Sequence, residues 1–152
     1  MKKIIVVLCF ILLFFTACRS KDPSLENVDK VDVAVSNGSI LNFKRGESTV
    51  TESKEVLKII KLVSSLNLKK EIDMKEYLGL TGANSYYIRM YSKKKLIREY
   101  IIYGEFVTIK NDGEEIVYLV SNEDKLKTYI NVLVENSSLS KHNKTTSSNI
   151  DS

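Results

Sequence analysis

The side chains that most often carry chemistry are scarce in this 152-residue chain. Its two cysteines are Cys9 and Cys18, and its one histidine is His142. Cys9 lies inside an apolar run, Cys18 directly follows it, and His142 sits in a C-terminal stretch of Ser, Thr, Asn and Lys. A domain folded between these points has neither thiol nor imidazole. Ser-His-Asp and Cys-His nucleophiles, disulfides, and metal sites built on Cys or His are therefore excluded within it. Carboxylates remain, in the runs Glu71, Asp73, Glu76 and Asp112, Glu114, Glu115. Neither run has the spacing of a calcium-binding EF-hand loop, and Asp112-Gly113 is explained as turn chemistry. There is no glycine-rich phosphate loop and no Gly-x-Ser-x-Gly elbow. The residues predict no catalytic group, no metal and no cofactor, and an enzyme would have to work with carboxylates, Lys, Tyr or Ser alone.

Binding is the chemistry left. Tyr87, Arg89 and Tyr91 alternate along one expected strand, and Arg98 and Tyr100 lie on the next. Tyrosines beside arginines offer stacking and hydrogen bonds, and both types are enriched where partners dock. This set is the expected surface for a protein, peptide or glycan ligand. The competing reading packs one tyrosine row into the core and pairs Arg89 with Glu99, since aromatic residues also fill strands for packing reasons. A second surface, Lys54, Lys58 and Lys61 on one side of an expected helix, suits anionic headgroups, although such charge runs are usually solvated faces.

Location is written in the first eighteen residues. Lys2-Lys3 precede twelve apolar residues, Ile4 to Phe15, and then come Thr16-Ala17-Cys18. A basic start, a short apolar core and a small residue before the cut make a secretory signal peptide over residues 1–17. The run is too short for a membrane span, which takes about 20 apolar residues. Thr16-Ala17-Cys18 resembles the lipobox of bacterial lipoproteins, with Phe15 where that motif usually has Leu. The resemblance implies that the Cys18 sulfur carries a diacylglycerol and that cleavage falls just before it. Two acyl chains hold a protein firmly where one holds it marginally. The expected location is the extracytoplasmic face of the cell membrane, lipid-anchored. The whole chain also looks similar to small uncharacterised lipoproteins of Gram-positive bacteria such as clostridia. In size, anchor and sheet-rich plan it is similar to immunity lipoproteins that sequester an antimicrobial peptide at the membrane, with no residue motif behind that likeness.

Charge agrees with a partner other than nucleic acid. The precursor has 23 basic and 19 acidic side chains; loss of Lys2 and Lys3 leaves 21 against 19, a net +2. That is too mild and too Arg-poor for a nucleic-acid footprint.

The elements that must position these residues follow from periodicity. Residues 18–30 read as the lipidated cysteine and a charged linker, 31–135 as the folded domain, and 136–152 as a polar tail too poor in apolar residues to order itself. Val31, Val33 and Val35 alternate as a half-buried strand. Asn37-Gly38 predicts a tight hairpin returning through Ser39–Lys44, with Leu41 and Phe43 on one face. A helix follows over about Glu52–Leu66, with Val56, Ile59, Ile60 and Val63 as its apolar stripe and Thr49 or Thr51 as its cap. Leu68–Ile72 reads as a short strand and Glu76–Gly82 as a turn region. Strands are expected at Asn84–Ser92, Leu96–Tyr103, Phe106–Lys110 and Glu114–Val120. A last helix begins at Ser121 with the stripe Leu126, Tyr129, Ile130 and Leu133. The predicted fold is α+β: one antiparallel sheet of six or seven strands, ordered ββα-ββββ(β)-α, with both helices on one face. For the hairpin at Lys93-Lys94-Lys95, a three-residue loop sets Arg89 against Glu99 and Tyr91 against Ile97. A two-residue loop would set Arg89 against Arg98, a like-charge pair.

Overall fold

The computed structural model describes residues 25–36, 44–73 and 84–147. The signal-type segment, Cys18, Asn37-Gly38 with Leu41 and Phe43, and the Glu76–Gly82 turn lie outside these residues. Seven strands, β1 (Lys30–Ser36), β2 (Lys44–Val50), β3 (Asn67–Ile72), β4 (Ser85–Ser92), β5 (Lys95–Tyr103), β6 (Phe106–Asn111) and β7 (Glu114–Ser121), form one sheet. Its order is β2-β1-β4-β5-β6-β7-β3, with every pairing antiparallel. Two helices, α1 (Ser53–Ser64) and α2 (Asp124–Ser147), complete the α+β fold.

The alternation read in β1 is the one the sheet uses. Val31, Val33 and Val35 are buried, and across the ladder they meet Met90, Ile88 and Tyr86. Tyr100, Ile102 and Val107 continue this inward face through β5 and β6. Val56, Ile59 and Val63 of α1 and Leu126, Ile130 and Val134 of α2 join it in one core, so both helices cover the same face. Ile60 and Leu133 flank the stripes and are only partly buried.

Five expectations are corrected. The described return strand is β2, from Lys44 to Val50, and Ser36 pairs with Lys44; the segment 37–43 between them lies outside the described residues. The sequence Lys-Arg-Gly-Glu-Ser-Thr-Val hides this strand, because only Val50 is large and apolar. Its inward residues are small where α2 crosses: a Cβ on Gly46 would collide with Val134 Cγ1. The stretch 18–30 is not linker throughout, since Leu25 is buried in the core and Lys30 opens β1.

The helix cap is neither Thr49 nor Thr51. Glu52 occupies that position without a side-chain cap bond, while Thr49 Oγ1 donates to Asp32 Oδ1 at 2.8 Å. Cross-strand partnership has taken the hydroxyl that local pattern assigned to the helix. The last helix starts at Asp124 and passes residue 135 to reach Ser147, in place of the polar tail. Ser137 Oγ donates to the Glu47 carbonyl of β2 at 2.8 Å, a tertiary contact that a composition argument does not see.

The fifth correction is the β4–β5 hairpin. Its loop has two residues, Lys93 and Lys94, with Ser92 opposite Lys95 and Tyr91 opposite Leu96. A bulge then shifts the register between Met90 and Tyr91, so that Arg89 does face Glu99 and Tyr87 faces Ile101. The extra residue was placed in the loop by the sequence argument and sits in β5 instead. Tyr91 does not face Ile97. The charge pairing is as predicted, and the route to it is a bulge.

Candidate ligand-binding face

The sheet face turned away from the helices carries a transverse row with one residue from each of six strands. In order these are Thr49, Asp32, Arg89, Glu99, Lys110 and Glu115, so the charges alternate in sign from Asp32 onward. Arg89 Nε donates to Glu99 Oε1 at 2.6 Å, and Lys110 Nζ lies 3.2 Å from Glu115. Asp32 accepts from Thr49 and also from Lys30 Nζ at 3.0 Å. Lys30 Nζ in turn stands 4.0 Å from the centre of the Tyr91 ring. Opposite charges directly across strands stabilise the pairing, each by a few tenths to about 1 kcal/mol.

These contacts set the electrostatics. Burial pushes the Asp32 carboxyl up, but hydrogen bonds from Lys30 and Thr49 outweigh it and hold the group below its ordinary value. The Glu99 hydrogen bond raises Arg89 against the opposing effect of burial. Burial, followed by the neighbouring Asp32 charge, raises the Tyr91 phenol. At neutral pH Asp32 is therefore held as the carboxylate and Arg89 as the guanidinium cation.

Next to the charged row runs a largely apolar one, Ala34, Tyr87, Ile101, Thr108, Val117 and Ile72. Thr108 and Val117 are each only 2% exposed, whereas Tyr87 and Arg89 remain partly accessible. The apolar row is thus closed over β6 and β7, the charged row stays partly accessible as far as Glu115, and the face is also open over β2, β1 and β4. A depression of about 490 Å³ opens there, between Asp32, Glu47, Thr49, Tyr87, Arg89 and Ser137. Its volume is in the range of small-ligand sites, about 300–1,000 Å³. Two carboxylates, a guanidinium, a phenol and two hydroxyls suit a ligand bearing both donors and acceptors, such as a peptide or a sugar.

The predicted Tyr/Arg surface is divided by the fold. Tyr87, Arg89 and Tyr91 share the face just described. Tyr100 opposes Ile88 and is 4% exposed in the core, and Arg98 opposes Met90 on the same inward side. Arg98 Nη1 lies 3.5 Å from Tyr100 Oη, so that pair serves the interior. The bulge at Ile97, just before Arg98, does not rescue it, because side-chain alternation from Arg98 to Tyr100 is regular. Asp32, Glu47, Thr49 and Ser137 were not foreseen as site residues. Alternation with Val31 and Val33 was enough to place Asp32 outward, but partners on β2 and α2 needed the tertiary fold.

The other groups separate clearly. Lys54, Lys58 and Lys61 are exposed on α1, as expected, and Lys58 Nζ lies 3.9 Å from the Tyr129 ring centre. Glu71, Asp73 and Glu115 come together around a depression of about 460 Å³ where β3 ends beside β7. Among the described residues no three of His, Cys, Asp and Glu are grouped so as to hold a metal ion. Compared with protein-family models, with curated proteins and with solved structures, the chain matches none.

Proposed function

We propose that this protein is a lipid-anchored extracytoplasmic binding domain, held at the membrane through Cys18 and taking a peptide, protein or glycan ligand on the sheet face over β2, β1 and β4. Supporting the binding half is one observation: both helices lie on one face, which leaves Tyr87, Arg89 and the adjoining depression accessible on the other. The ionised Asp32 is a poor proton donor at neutral pH, and its hydrogen bonds hold it as a positioning group. The anchor half rests on Lys2-Lys3, the twelve apolar residues and Thr16-Ala17-Cys18. An immunity role, capture of an antimicrobial peptide at the membrane, is the second reading. The carboxylates Asp32 and Glu47 in the depression favour it to the extent that such peptides are cationic.

Cys18→Ser tests the anchor. The variant should leave the membrane fraction or accumulate as uncleaved precursor. Normal cleavage with full membrane retention would overturn the lipidated reading.

A further inference from the structure

We infer that the β4–β5 hairpin tip, Lys93-Lys94-Lys95 with Leu96, is a second membrane contact that rests on anionic phospholipid headgroups beneath the anchored domain. The inference rests on the tethered reading above and adds to it an orientation and a partner surface. Three observations carry it.

The first is reach. Leu25 is already packed in the core, so only the six residues 19–24 separate it from Cys18. Fully extended, that separation spans about 25 Å. The chain then enters the sheet beside the β4–β5 turn: Asp29 N donates to the Tyr91 carbonyl at 3.0 Å, and Lys93 N donates to Asp29 Oδ2 at 2.8 Å. The opposite end of β5, at Gly104-Glu105, is about 30 Å further away, at about 3.3 Å per strand residue. A short tether therefore selects the lysine end of the sheet as the membrane-proximal one.

The second is backbone conformation. Lys93 and Lys94 have φ of 48° and 73°, both in the left-handed region. A two-residue turn of this kind favours Asn-Gly, which lacks the steric penalty that a lysine carries there. Lysines thus occupy positions for which local folding prefers other residues, and strain kept at an exposed tip is a pointer to function.

The third is chemistry. Lys93, Lys94 and Lys95 are exposed, and Leu96 beside them is 44% exposed. Lys95 Nζ comes only within 3.9 Å of Asp112, both side chains being 76% exposed, too loose and too solvated to hold the lysine back. Three ammonium groups around an apolar side chain match the headgroup layer of an anionic bilayer. Of the α1 lysines, by contrast, Lys58 is already engaged with Tyr129.

The test uses the processed, acylated protein reconstituted in phosphatidylcholine vesicles with or without phosphatidylglycerol. A polarity-sensitive fluorophore is placed on Leu96→Cys, and as reference on Glu105→Cys; processing removes Cys9, and the Cys18 sulfur is alkylated. The Leu96 probe should shift to the blue only with phosphatidylglycerol, and added salt should reverse the shift in the otherwise unmutated protein. The Glu105 probe should not respond. Lys93→Gln, Lys94→Gln and Lys95→Gln should each weaken the contact about fivefold, the effect of one lysine at an anionic surface. Identical Leu96 spectra on both vesicles, or equal shifts at both probes, would refute the footing while leaving the anchor intact. Mass spectrometry showing no diacylglycerol on Cys18 would instead remove the tether, and the footing with it.

Discussion

Asp32 shows how much one residue on this sheet depends on its neighbours. Its carboxylate joins Lys30, Thr49 and, through the adjacent phenol, Tyr91 into a single polar group. Because its folded pKa lies below the unfolded value of about 3.9, its contribution is present above that pH and fades as pH falls through the folded pKa. Asp32→Asn should therefore flatten the acid limb of stability below about pH 4, read as the urea midpoint against pH. Tyr91 has the opposite sign. Its raised pKa means a contribution intact below about pH 10 and lost as pH rises through the folded value, so Tyr91→Phe should blunt the alkaline fall. The Arg89–Glu99 pair, 43% and 13% exposed, is bonded at short range but partly solvated. A double-mutant cycle with Arg89→Ala and Glu99→Ala should give a coupling of about 0.5–1 kcal/mol. A coupling of zero would show that the row is held by the backbone alone.

Elements fix where such residues can stand. α1 presents Ile59 fully buried and Ile60 on its flank, although both belong to the apolar stripe. Ile59→Ala should cost about 2–5 kcal/mol and Ile60→Ala distinctly less, measured by denaturant unfolding. Equal losses would mean that the stripe is centred between them. Where α2 crosses β2, Gly46 admits the helix because it has no side chain to meet Val134. Gly46→Ala should destabilise by about 1–3 kcal/mol, the usual cost of overpacking, and Val134→Ala introduced with it should recover part of the loss. Both helix stripes were legible because a 3.6-residue period survives any tertiary context. The Gly46 contact was not, since nothing local to β2 says which helix passes over it.

At the level of the whole molecule, the sheet is a meander from β4 to β7, with β1 and β2 added on one side and β3 on the other. β3 forms the far edge, almost wholly exposed, with a register shift at Lys69 and lysines at 69 and 70. A bulge and charges on an edge discourage a further strand from pairing. Amide exchange should accordingly be slowest in β1, β4, β5 and β6 and fastest in β3, in line with local burial. Equally slow exchange in β3 would reveal a partner on that edge. Placing both helices over one face also divides the roles of the two sides: one holds the core, and the other presents the charged row and the depression.

The sequence by itself determined most of the element types, β2 and the end of the last helix excepted, with the helix stripes, the inward set of β1 and the Arg89–Glu99 pairing. These depend on period and on the sign of charge, which act between near neighbours or along a ladder whose register they help to select. It also carries the expectation of a membrane anchor, written as a linear motif. Only the tertiary structure decided that Tyr100 and Arg98 face inward while Tyr87 and Arg89 face out, since that depends on which side of the sheet the helices take. It alone brought Glu47 and Ser137, ninety residues apart, to one depression. It alone recovered helix from a stretch whose composition predicts none. Contacts between distant segments have no local signature, because the free energy that fixes them arises only when the sheet has closed and the helices have packed.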